Sequence, residues 1–147
     1  MGLDNIPGIY PCKREGTAVY NDNEQISCDK TIEVGGCPYH NEKSKDPIVS
    51  GINGVTGIVG VDCWYRGKYG NHMLEKLGVD LDGLDFYGDE DDGCYKTPES
   101  CVHLADLISI RRETLRDDPE ELFDDAVYAE WYLRWAARDC NGLACWY

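Results

Sequence analysis

Arg66 and Lys68 stand two residues apart in Trp64-Tyr65-Arg66-Gly67-Lys68-Tyr69-Gly70-Asn71-His72, with aromatic side chains on both sides of the pair. A guanidinium can grip a phosphate or carboxylate through two parallel hydrogen bonds, and an ammonium adds a compact point charge. Gly67 and Gly70 would let the backbone come close to a ligand. A helix is expected to begin at Asn71, and the unpaired N–H groups of a helix start favour an anion. Trp64, Tyr65 or Tyr69 offers a flat face on which a base can stack, and His72 closes the set. Together these residues have the chemistry to capture a small anionic ligand such as a nucleotide. The spacing of Gly67 and Gly70 matches neither a phosphate loop nor a dinucleotide fingerprint. The plainer alternative is that the two cations pair with nearby carboxylates and the aromatic residues fill a core.

The surrounding charge sharpens the question. The chain of 147 residues has 28 acidic and 14 basic side chains, a formal net charge of -14. Between Ser50 and Leu74 the only formal charge besides Arg66 and Lys68 is Asp62. Such a surface repels a long phosphate backbone, so duplex nucleic acid is excluded as a general partner, whereas a small anion at a local basic island is not. The same acidity supports a second reading, an acidic interaction module or inhibitor. By analogy with small viral accessory proteins, it would mimic a polyanion and occupy a basic protein partner.

Metal chemistry has two candidate sets, of which Cys94, Cys101 and His103 with Cys140 or Cys145 is the second. Cys12, Cys28, Cys37 and His40 supply the donors of a closed Cys₃His structural zinc site, with the two-residue gap of Cys37-Pro38-Tyr39-His40 as one arm. The paired C-x₂-C arms of a standard finger are missing, and buried thiols or a disulfide are the alternative. Seven acids fall among residues 80 to 92. Placing Gly93 at the sixth position of a calcium loop puts Gly88 where the first ligand should be, so this run reads as a solvated acidic loop.

For catalysis, Cys63 lies near Arg66 and Lys68, which would favour a thiolate, and His72 follows nine residues on. A hydrolase or transferase using Cys63 or the carboxylates is therefore a third reading. No complete catalytic motif is present, and the chain reads as a non-enzymatic binding protein.

The elements that must position these residues fall into two halves. The first is β-rich: Gly16 to Tyr20 and Gln25 to Cys28 flank a turn-forming run, Thr31 to Val34 is a short strand, and Asn53-Gly54 separates Pro47–Ile52 from Val55–Tyr65. The second is helical, with helices expected at 71–77, 98–116 and 119–139 and the acidic loop at 79–96. Thr97-Pro98 is a cap followed by a first-turn proline, Asp118-Pro119-Glu120-Glu121 resembles a capping box, and Asn141-Gly142 should stop the last helix. Leu122, Ala126, Ala129, Leu133 and Ala136, flanked by Phe123, Val127, Tyr128, Trp131, Tyr132 and Trp135, make that helix apolar over a wide arc. It should be buried against a sheet, or shared with a second copy in a homodimer. The fold class is α+β in a single domain, with hairpins and an antiparallel sheet in the N-terminal half and two or three C-terminal helices packed on one side. The N-terminal stretch has neither a basic start nor an apolar run, and nothing approaches the roughly 20 apolar residues of a membrane span, so a cytoplasmic protein with no membrane partner is expected.

Overall fold

The computed structural model describes residues 3–9, 18–20, 26–28, 45–47, 49, 52, 58–59, 64–80, 85–89 and 95–146. The strands are β1 (Asp4–Pro7), β2 (Ala18–Tyr20), β3 (Ile26–Cys28), β4 (Ile58–Val59), β5 (Trp64–Arg66), β6 (Tyr95–Lys96) and β7 (Leu143–Trp146). The helices are α1 (Gly67–Lys76), α2 (Pro98–Arg111) and α3 (Phe123–Asp139), with a 3₁₀ turn at Arg112–Leu115 between the last two. The class is α+β. Five strands form an antiparallel sheet in the order β4-β5-β1-β7-β6, and β2 pairs with β3 in a separate hairpin.

β1 holds the centre of the sheet. Asn5 stands opposite both Tyr65 of β5 and Cys145 of β7, and these three side chains share the face turned toward the helices. Asp4 stands opposite Arg66 on the other face. β7 is a strand that the sequence reading missed, although Leu143-Ala144-Cys145-Trp146 is a four-residue run of strand-compatible residues just past a helix stop. β4 and β5 also correct that reading. They pair antiparallel, Ile58 with Tyr65 and Val59 with Trp64, so the chain reverses inside the stretch Val55–Tyr65 expected to be one strand. Gly60 and Asp62, both turn-forming types, lie between them in sequence.

The helix boundaries follow from local chemistry. α2 starts where its signals stand: Thr97 Oγ1 accepts from the Ser100 N–H at 3.1 Å, and Pro98 occupies the first turn. α3 starts four residues later than expected. Asp118 Oδ1 accepts from the N–H of Glu120, two residues on, and the Glu121 N–H donates to the Asp118 carbonyl. This closes a turn instead of a cap, with Glu121 at a φ of 55°, and residues 119–122 stay outside the helix. At the other end Asn141 and Gly142 take φ values of 54° and 90°, and the Gly142 N–H returns to the Ala136 carbonyl, as at many helix ends.

α3 packs on α2 and on the sheet. Ala126, Ala129 and Ala136 of α3 are buried in one core with Leu104, Ala105 and Ile108 of α2, while Tyr128, Tyr132 and Trp135 are covered by this chain's own residues. Arg111, the last residue of α2, donates through its guanidinium to the carbonyls of Leu77 and Gly78 and satisfies the end of α1. Among the described residues no helix is long and apolar enough to cross a membrane.

Candidate functional site

The residues singled out around Arg66 divide between the inside and the outside of the molecule. Tyr65 is 1 % exposed and sits in an aromatic cluster, its ring centre 5.1 Å from Phe86, 5.5 Å from Tyr132 and 6.4 Å from Tyr128. Burial drives its hydroxyl pKa well above the usual tyrosine value, with the charge of Asp125 adding to the effect. Its ring belongs to the core.

Gly67 and Gly70 are also buried, and their function is steric. A Cβ on Gly67 would lie 2.3 Å from Asn5 Oδ1 and 2.7 Å from Phe86 Cβ; one on Gly70 would lie 2.5 Å from the Phe86 ring. The missing side chains make room for Phe86, not for a ligand. Asn71, expected as a donor at a helix start, lies one turn inside α1, where its Oδ1 accepts from the Phe86 N–H at 2.8 Å. Asn5 Nδ2 donates to the Phe86 carbonyl at 2.8 Å and to Cys145 Sγ at 3.3 Å. Phe86 is thereby held at both backbone groups, its ring fully buried.

The outward residues are Arg66, Lys68, Tyr69 and His72. α1 begins at Gly67, four residues ahead of the expected start, because Arg66 keeps extended geometry while the Gly67 N–H donates to the Leu3 carbonyl. This end of the helix carries no side-chain cap and no acid in its first turn. Arg66 reaches Asp4 only loosely, Nε to Oδ1 at 3.9 Å with the side chains 49 % and 29 % exposed. Lys68 is exposed, and among the described residues no carboxylate closes on it; Tyr69 is 47 % exposed. His72 is taken up by Glu120, Nε2 to Oε2 at 2.7 Å, and Lys76 reaches the same carboxylate at 3.0 Å. Those two contacts hold the Glu120 carboxyl below its usual range, His72 more than Lys76. Trp64 contributes its backbone to β5; its side chain lies outside the described residues.

Of the zinc candidates, Cys12, Cys37, His40 and Cys94 fall outside the described residues, as does the side chain of Cys28; Cys63 falls outside them too. Among the described residues no group of three His, Cys, Asp or Glu is placed to hold a metal ion. Cys101, Cys140 and Cys145 are buried thiols. Burial pushes the Cys101 thiol up to about 12 and the Cys145 thiol up to about 11, so both stay protonated and poorly nucleophilic at neutral pH.

One polar cluster escaped the sequence reading. Lys96 is 2 % exposed, and its Nζ lies 3.2 Å from Asp89 Oδ1 and 3.2 Å from Ser100 Oγ. Asp89 also accepts from Ser100 Oγ at 2.6 Å and from the Thr97 N–H at 2.7 Å. Burial alone would raise the Asp89 carboxyl; donation from Ser100, Thr97 and Lys96 outweighs it and holds the group below its usual value. An ionised Asp89 locked to an ammonium neither accepts nor delivers a proton readily at neutral pH. The cluster ties the segment 85–89 to the start of α2. Alternation would have hinted at it, since Lys96 faces inward opposite Leu143.

No family model, curated protein or solved structure matches this chain.

Proposed function

We propose that this chain is a non-enzymatic binding protein that takes a small anion, a phosphate-bearing compound of nucleotide size, at the start of α1. The observation that carries this reading is a helix end without side-chain cap or first-turn acid, flanked by exposed Arg66 and Lys68. The N–H groups of the first turn have no acceptor within the helix. A bound oxyanion accepts from the Lys68 and Tyr69 N–H groups and is drawn by the positive end of the helix. The guanidinium of Arg66 leaves its loose contact with Asp4 to meet the ligand, and Lys68 adds charge from the same turn. Tyr69 offers a stacking face to a ring attached to the phosphate. A formal charge of -14 over the chain as a whole disfavours long polyanions and keeps the ligand class small.

Isothermal titration with inorganic phosphate and with a nucleoside monophosphate tests this. Wild type binds both, the nucleotide more tightly, and an Arg66→Ala, Lys68→Ala double variant loses about tenfold or more in affinity for each. Equal heats for the two proteins, or none for either, end the reading. Loss of the nucleotide preference in Tyr69→Ala, with phosphate binding kept, assigns the stacking to that ring.

A further inference from the structure

A separate surface lies along the seam between α2 and α3. An open groove of about 470 Å³ is lined by Pro98, Glu99 and Val102 of α2 and by Arg134, Ala137 and Arg138 of α3. From its α2 wall a row at every fourth residue continues along the helix: Val102, Asp106, Ile110. Val102 is 39 % exposed and Ile110 76 % exposed, two of the few large apolar side chains that face water among the described residues. At about 1.5 Å rise per residue they stand roughly 12 Å apart along the helix axis. That interval is close to the roughly 11 Å between two anchors separated by two turns on an opposing helix.

The charges along the seam decide what can cover it. Arg134 is closed onto Asp106 at 2.9 Å and onto Glu130 at 3.0 Å. Arg112 also bonds to Glu130, and Arg138 to Asp139 at 2.7 Å. Each arginine of the seam is therefore paired with a carboxylate, Glu130 serving two of them, leaving an anionic partner no cation to claim without breaking a pair. Glu99 is exposed and makes no ion pair among the described residues. Beyond the seam lies a molecule of net charge -14. An occupant must bring apolar anchors for Val102 and Ile110 and positive charge around them.

We infer that the α2–α3 seam docks a basic amphipathic helix of a partner protein. One anchor lies over Val102 and the groove floor of Pro98 and Ala137, a second lies two turns away over Ile110, and lysines or arginines beside them face Glu99 and the acidic surroundings. Acidity supplies attraction and approach rate, while the apolar row supplies location. The surface shares no residue with the start of α1, so either proposal can fail without the other.

The test uses the whole chain and an 18-residue peptide of leucine and lysine, with the leucines on one helical face. Its control is a scrambled peptide of the same composition. In titrations followed by amide NMR, shifts centre on Val102, Asp106, Ile110 and Ala137. At moderate salt the patterned peptide binds about tenfold more tightly than the scrambled one. A Val102→Asp, Ile110→Asp double variant loses that preference while keeping its far-ultraviolet circular dichroism. Ile110→Ser, at the more exposed position, gives a partial loss as a second variant should the double one fail to fold. The Arg66→Ala, Lys68→Ala variant binds the peptide as wild type does. Equal binding of the two peptides reduces the attraction to bulk charge and overturns the proposal. So do shifts centred elsewhere, no binding, or preference for a leucine–glutamate peptide of the same pattern.

Discussion

The two faces of α1 obey different constraints although their residues interleave along one turn. On the inner face Gly67 and Gly70 leave out side chains so that Phe86 can lie against the helix, and Asn71 holds the Phe86 backbone. Every one of these positions is set by its neighbours within the chain. On the outer face Arg66, Lys68 and Tyr69 are exposed, and the ion pair they make among the described residues is the loose one from Arg66 to Asp4. Glycine beside a cation is thus ambiguous by itself. It marks an approach either from outside, by a ligand, or from inside, by a large side chain, and here the ring of Phe86 occupies the inner side. What remains available to a ligand is two cations, one exposed ring and the N–H groups of an uncapped helix end.

If the inner face is a packing device, removing its centrepiece must be the costliest change. Phe86→Ala vacates a fully buried ring and should destabilise the protein by about 3–5 kcal/mol, read as a shift of the urea midpoint. A loss below about 1 kcal/mol would mean that the segment carrying Phe86 is dispensable, and the contrast between the two faces would fail.

Next comes the tether that keeps this segment in place. Lys96→Met leaves Asp89 enclosed without its cation and should cost about 2–3 kcal/mol, less than for a fully buried pair because the Asp89 side chain is 24 % exposed. The pH dependence has a definite sign. The Asp89 carboxyl is depressed in the folded state, so its contribution is complete at neutral pH and is lost as pH falls below the usual carboxylate range through the folded value. Asp85 acts in the opposite sense: burial raises its carboxyl, so protonation of that group relieves a cost as pH falls. Urea midpoints followed from the usual carboxylate range down through the folded Asp89 value should therefore decline more steeply in wild type than in Asp89→Asn. Parallel curves for the two would remove Asp89 from the account.

Gly70→Ala sharpens the comparison from the helix side. Helix propensity alone favours alanine by up to about 1 kcal/mol. The Phe86 ring 2.5 Å from the new methyl reverses the sign, with a net destabilisation of about 1–3 kcal/mol. A stabilised Gly70→Ala would show that this position has room to spare, and would return it to the set of residues a ligand can approach.

How much of this was legible depends on the range of the interaction. Thr97-Pro98 at the start of α2 and Asn141-Gly142 past the end of α3 act within a few residues, and both perform the roles their types suggest. The β2–β3 hairpin, Ala18 opposite Cys28, is equally local. Asp118 failed as a guide because an Asp ahead of a helix can close its own turn as well as cap the helix, and only the surrounding chain decides. β7 was missed because its place between β1 and β6 joins the two ends of the chain, a pairing with no local signal. The same limit governed the site. Arg66, Lys68 and Tyr69 could be recognised by type, but the commitment of Gly67, Gly70 and Asn71 to Phe86 spans an acidic stretch that hides one buried ring among many carboxylates. Lys96 was passed over because lysine is ordinarily exposed, and its partners Asp89 and Ser100 emerge only when the segment folds back on α2.

The smallest expected effect discriminates best between the faces. Arg66→Ala, Lys68→Ala removes two exposed cations, one with a 3.9 Å contact and one with no carboxylate among the described residues. Exposed pairs of this kind contribute little, so the urea midpoint should move by no more than about 0.5 kcal/mol in free-energy terms. In a chain this acidic, removing positive charge also adds repulsion, so any residual shift should be destabilising and should shrink as salt is added. A loss of several kcal/mol that persists in salt would place the two side chains among the groups that hold the fold. Stability unchanged together with loss of phosphate binding would separate the faces cleanly: Phe86 and its glycines keep the helix in position, and the cations at its start are free to serve a ligand.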